Sequence, residues 1–228
     1  TVPRLVKENP RRGVIIQAIY RSNFVLFGLP LTVSVFGDVA SSVAAMVVTV
    51  VITIYNTTSV VILEMFNSEG KTDVKTILVN VVKNPLLQGA VVGLLFFFLG
   101  IHVPKSLLTP IAAFADATSP VALFVLGGTL HFNAIRGNMK YLVPALSLKL
   151  LVLPAVMLAL GYTFGLRDLE LFLLVAIYGT PVAAASYPMA QNMGGDGELA
   201  GQFVVISTVV AVGTLFGWIF FMKSVGLI

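Results

Sequence analysis

Hydrophobic residues run through this chain in blocks of about twenty, separated by short polar stretches, instead of alternating with polar positions. A bilayer-crossing helix needs roughly 20 apolar residues, whereas a membrane barrel strand shows only about ten residues of alternation. The pattern predicts seven spans, at 13–36, 40–66, 85–102, 106–131, 141–164, 169–193 and 199–222. Lipid offers the backbone no hydrogen bonds, so only helices or closed barrels cross it. The prediction is an all-α membrane protein. Its third span, GAVVGLLFFFLGI, is entered through Asn84-Pro85 and left at Pro104. The fourth is long and holds Asp116 and Pro120, and it reads either as one span or as an interfacial helix followed by a shorter span.

Composition agrees with the pattern. Of 228 residues, 57% are hydrophobic and 11% charged, against about 25% charged in a soluble domain. The absence of Cys rules out disulfides and thiolate chemistry. The placement of the charges predicts orientation. Arg4, Lys7, Arg11, Arg12, Lys71, Lys75, Lys83, Arg136 and Lys140 fall on one side, and Lys105, Arg167 and Lys223 on the other. The positive-inside bias then puts residue 1 in the cytoplasm and Ile228 outside, at the cell membrane. The basic start of the chain is explained by this topology, and a nucleic-acid partner is not expected.

The chain also repeats itself. Residues 18–38, AIYRSNFVLFGLPLTVSVFGD, align without a gap on residues 176–196, AIYGTPVAAASYPMAQNMGGD, at an offset of 158. Ala18-Ile19-Tyr20 matches Ala176-Ile177-Tyr178, Pro30 matches Pro188, and Gly37-Asp38 matches Gly195-Asp196. Val47 and Val51 continue the register onto Val205 and Val209, making eight identities over 34 positions. The copies lie five spans apart, so they are upside down relative to each other. Inverted repeats with Pro- and Gly-interrupted spans point to a secondary transporter. The expected division is 1–66 as the last two helices of one repeat, 67–84 as a cytoplasmic linker and 85–228 as a second five-helix repeat. Symmetry then predicts three further helices ahead of Thr1, in a protein built as five plus five.

Both copies should be broken helices. Gly28-Leu29-Pro30 falls in mid-span, where Pro deletes a hydrogen bond and clashes with the preceding turn. Gly179, Pro181 and Pro188 interrupt the sixth span twice, around the small residues Ala183-Ala184-Ala185-Ser186. Unwound backbone at that depth survives only where protein or a watery cavity satisfies it, and a helix N-terminus exposed there attracts anions. The plainer alternative is that these prolines merely kink packed helices.

Here the sequence resembles a known family. Asn23-Phe24-Val25-Leu26-Phe27-Gly28-Leu29-Pro30 resembles the N-x4-G-[IL]-P signature in the fourth helix of auxin efflux carriers, and Pro181 through Ala190 with Gln191 and Gly194-Gly195-Asp196 resembles the crossover in their ninth. Lys149-x4-Pro154-Ala155-Val156-Met157 is similar to their eighth helix, and Asn84-Pro85-Leu86 to the start of their sixth. The resemblance covers nearly the whole chain, as helices four to ten of ten. It implies two crossed broken helices and transport of small organic anions, auxin in plants and dicarboxylates such as malate or malonate in microbes. The first three helices, which contribute to the family's pocket, are not in this chain.

The polar residues inside spans carry the candidate chemistry. Asn23, near the crossing, is either a helix–helix hydrogen bond or a ligand contact. Asn56 reads as a structural hydrogen bond. Arg21 either snorkels to the cytoplasmic face or adds positive potential to an anion path. Lys149 is too deep to snorkel easily, and either binds carbonyls of the broken helices or sits near substrate. Gln191, with Asn192, lines the cavity or caps a half-helix. Asp38 and Asp196 read as helix N-caps. Asp116, His102 and His131 read as interfacial. The expected substrate-binding and crossover set is therefore Asn23, Gly28, Pro30, Pro181, Ala185, Pro188 and Gln191, supported by Lys149 and Arg21.

No metal spacing, phosphate loop or Ser/His/Asp set is present, so neither an enzyme nor a cofactor is expected. The expected function is alternating-access transport, in the efflux direction, of a small organic anion such as a carboxylate. A sodium-coupled organic-anion symporter of the bile-acid type is the alternative, although no Glu stands near the crossing. Expected partners are the anion and the bilayer, with a homodimer as a further candidate.

Overall fold

In the computed structural model, residues 6, 8–66, 74–129 and 132–228 are described. Arg4, Lys7, Lys71 and His131, and residues 67–73 of the expected linker, lie outside this set. The described chain is helical, and its only extended pairing is one isolated antiparallel bridge between Ser22 and Val182.

Among the described residues, four helices are long and apolar enough to cross a membrane: Val39–Met65, Lys105–Thr129, Ala134–Thr163 and Gly197–Ser224. We number the elements α1 (Asn9–Tyr20), a π turn (Phe24–Gly28), α2 (Leu29–Phe36), α3 (Val39–Met65), α4 (Val74–Lys83), α5 (Pro85–Phe98) and α6 (Lys105–Thr129). There follow α7 (Phe132–Ser147), a second π turn (Leu148–Val152), α8 (Leu153–Thr163), α9 (Asp168–Gly179), α10 (Ser186–Asn192) and α11 (Gly197–Ser224). The fourth span is thus one continuous helix despite Pro110 and Pro120. The first and sixth spans are each interrupted, at residues 21–23 and 180–185.

The two aligned stretches lead into helices that start at matching positions. Val39 and Gly197 begin α3 and α11, and they are separated by the same 158-residue offset as the sequence match. Ahead of each stands a glycine in the left-handed region, Gly37 at φ 75° and Gly194 at φ 73°, where an L side chain would be strained. Asp196 caps α11 by accepting from Leu199 N at 2.9 Å. Asp38 makes no such bond, so the expectation of a matching cap is corrected: its backbone is already helical at φ −63° and ψ −25°, not in the extended conformation that an N-cap side chain needs.

α3 and α11 are apolar around most of their circumference, as lipid-facing helices are. α3 buries a stripe that includes Ala40, Ala44, Tyr55, Ser59 and Leu63, whereas α11 is buried on all sides from Leu199 to Val204 and only along a stripe, Ser207, Ala211, Leu215 and Met222, beyond that. Burial in lipid adds little driving force between apolar helices, so close packing and interhelical hydrogen bonds hold such a bundle. Among the described residues three buried clusters form: one joins Val14, Ala18, Leu142, Tyr187 and Phe203, another joins Phe24, Ala44, Leu171, Phe172 and Met222, and a small third joins Leu150, Ala211 and Leu215.

Candidate functional site

The two interruptions meet. Asn23 N–H donates to Pro181 O at 2.7 Å, beside the Ser22–Val182 bridge. The second break follows directly from local sequence. A residue before proline is pushed out of the helical region, and Thr180 is extended at φ −72° and ψ 156°, which ends α9 at Gly179. The first break has no such cause. Arg21 is extended at φ −79° and ψ 118°, followed by Ser22 and Asn23, none of which forbids a helix.

Gly28-Leu29-Pro30 is not where the first span breaks, and that expectation is corrected. Phe24–Gly28 forms a π turn in which Leu29 N–H reaches back to Phe24 O, and Pro30 enters at the start of α2, where its missing N–H costs little. Gly28 serves packing at this point. A Cβ there would fall 2.1 Å from Cδ2 of the Phe24 ring, which is 2% exposed.

The freed backbone groups are taken up within the protein. Val182 N–H donates to Ser207 Oγ at 2.9 Å, while Ser186 and Tyr187 donate to Ala183 O and Ala184 O. The expectation that unwound N–H groups stand open to an anion is not met at Asn23, Val182, Ser186 or Tyr187. In a water-poor interior an unpaired N–H costs several kcal/mol, on the order of the whole interaction it would offer a ligand.

Positive charge comes from side chains instead. Lys149 is wholly buried in the second π turn, and its Nζ donates to Ser22 Oγ at 2.7 Å. It thus reaches the first break through a hydroxyl and not through a free carbonyl. Arg21 is 5% exposed; its Nη2 donates to Asn56 Oδ1 at 2.8 Å and its Nη1 contacts Met189 Sδ. Arg21 does not snorkel, because its guanidinium is drawn between α3 and α10. Asn56 makes the structural bond expected of it. Among the described residues, the ion pairs are Arg11 with Glu8 and with Asp196, so neither buried cation has a carboxylate partner.

Arg11 lies ahead of the first predicted span. Its Nε donates to Asp196 Oδ2 at 2.9 Å, which raises the guanidinium further above its ordinary value. This pair ties the start of α1 to the start of α11. An apolar cavity of about 240 Å³ lies elsewhere, between α7 and α11, lined by residues including Leu142, Leu146, Leu150, Ile206 and Val210. Its aliphatic walls are unsuited to an anion, so charge and not cavity size marks the candidate site.

The sequence profile of the family described as "Membrane transport protein" matches residues 4–219. The chain belongs to this family, that of the auxin efflux carriers. It is a multi-pass membrane protein. It is 28% identical over 145 residues to a protein of Rhizobium meliloti (strain 1021) named "Putative malonate transporter". The match covers 62% of this chain and 44% of that relative, so it spans under half the relative's length.

Within this membrane transport protein the expected residues divide. Asn23, Pro181, Arg21 and Lys149 gather at the crossing or contact residues that do. The Asn23 side chain is half-buried and makes no cap bond. Ala185 ends the second break and Pro188 lies in the first turn of α10, both half-buried. Gln191 is exposed near the end of α10 and is not brought to the crossing. Gly28 and Pro30 lie one to two turns beyond it. Sequence reasoning missed Ser22 and Ser207. Ser22 aligns with Thr180 and Ser207 with Thr49 under the repeat, and hydroxyls at matched positions were the available signal.

Proposed function

We propose that this chain forms the central site of a secondary transporter for small organic anions, with short carboxylates such as malonate as the substrate class. One observation carries the reading: two buried cations stand at consecutive residues of the first break, Arg21 within it and Lys149 bonded to Ser22, and each has only neutral hydrogen-bond partners. A charged side chain in mid-membrane costs about 2.5–3.5 kcal/mol on insertion scales, and such groups mark substrate or ion paths. A substrate carboxylate supplies the missing counter-charge. Asn23 stands beside it with a free amide, and Pro181 and Ala185 present a surface without bulky side chains.

Alternating access fits two broken helices crossing head to toe, because each half can rock about the shared bridge. With residue 1 cytoplasmic in the cell membrane, efflux is the favoured direction. A monoanion leaving a negative interior gains about 2.3 kcal/mol per 100 mV, so export runs without a coupling ion.

The test is flux of radiolabelled malonate from proteoliposomes containing the full-length protein. Saturable efflux, accelerated by an imposed inside-negative potential, is expected. No flux of malonate or of other mono- and dicarboxylates overturns the substrate class. Flux indifferent to potential but dependent on sodium overturns the uncoupled export scheme in favour of the symporter.

A further inference from the structure

The turn that carries Lys149 needs an external support. Pro154 has no N–H, and in an α-helix the carbonyl it leaves unpaired is that of residue 150. Here Leu150 O accepts from Trp218 Nε1 at 2.9 Å. The Leu150 side chain packs on Ala211 and Leu215 of the same helix, α11. Ser207, which takes the Val182 N–H of the second break, lies eleven residues before Trp218 on α11. Eleven residues are about three turns, so the two side chains share a face. α11 therefore holds the second break directly and the Lys149 turn through a single indole. Trp218 is the only tryptophan in the sequence.

We propose that Trp218 is a positioning residue for Lys149: its N–H holds Leu150 O, fastens the turn Leu148–Val152 to α11, and so keeps the ammonium on Ser22. With that bond lost, Lys149 would leave the first break. The inference rests on Lys149 serving the anion path, and adds the residue on which its aim depends.

Two measurements on the full-length protein in proteoliposomes test it. The first needs no substrate: a water-soluble amine-acylating reagent is applied, and labelling of Lys149 is read by peptide mass spectrometry. Lys149 should stay unlabelled in the wild type and in Trp218→His, which retains an N–H donor, and become labelled in Trp218→Phe. Pro154→Ala supplies a competing N–H to Leu150 O and frees the turn from the Trp218 indole, so it should also expose Lys149, and it answers the question if Trp218→Phe does not fold. The second measurement is malonate counterflow, in which Trp218→Phe should raise KM about tenfold with little change in Vmax, the scale of one lost hydrogen bond. A protected Lys149 and an unchanged KM in the variants overturn the proposal, even if thermal stability falls. Absence of malonate flux in the wild type strikes the substrate reading instead, and the labelling result still decides the role of Trp218.

Discussion

The two breaks descend from matching stretches of sequence yet are built differently. The first is three residues long and is followed by thirteen residues of helix, Phe24–Phe36; the second is six residues long and is followed by the seven of α10. The first is surrounded by cations, Arg21 within it and Lys149 reaching into it. The second is neutral, with the buried hydroxyls of Thr180 and Ser186 left without partners. Ser207 holds the second break, whereas Thr49 at the aligned position is exposed and bonds only Ala45 O of its own helix. The aligned stretches thus carry two interruptions, and divergence of side chains gives one of them the charge and the other a longer, neutral segment whose N–H groups are taken up by Ser207 and by its own carbonyls.

The sharpest test sets Lys149→Met against Thr180→Val. Loss of the ammonium should cut malonate flux by about a hundredfold, as for other buried charges deprived of a partner, with the protein still folded. Thr180→Val removes a hydroxyl that has no hydrogen bond, so stability should hold or rise slightly, and flux should change far less. Equal losses in the two variants would erase the assignment of charge to the first break.

Gly28 and Ser186 occupy aligned positions and should respond in opposite ways. Gly28→Ala drives a methyl into the Phe24 ring and should cost about 2 kcal/mol, while Ser186→Ala should cost nearly nothing. Thermal unfolding in detergent separates them, and a stable Gly28→Ala would show that the ring can move aside. Ser207→Ala leaves the Val182 N–H unpaired and should destabilise by about 1.5 kcal/mol, whereas Thr49→Ala should stay within about 0.5 kcal/mol. The smallest difference is between the aspartates. Asp196→Ala loses a cap and the Arg11 pair for about 1 kcal/mol, and Asp38→Ala should be silent because it caps nothing.

Much of the fold was legible in the sequence because lipid imposes a strict grammar of apolar length, and the 158-residue offset marked both interrupted spans. The site was legible only in part. Lys149 stood out by depth, but its partner Ser22 did not, because nothing in a lone serine reveals which helix will approach it. Gln191 looked like a crossing residue from its place in the motif, yet the shortness of α10 puts it beyond the crossing and into exposure. Gly28 and Pro30 looked like a break, but Gly28 falls in a π turn and Pro30 in the first turn of α2.

The division has a plain physical origin. Thr180-Pro181 ends a helix by local sterics whatever surrounds it, so the second break was written in the chain, as were the spans themselves. Arg21-Ser22-Asn23 has no such restriction and would continue a helix in isolation. It unwinds only where Pro181 O, Lys149 and Asn56 wait to take its N–H, hydroxyl and guanidinium, and those partners come from residues 35 to 158 positions away that only the folded bundle brings together.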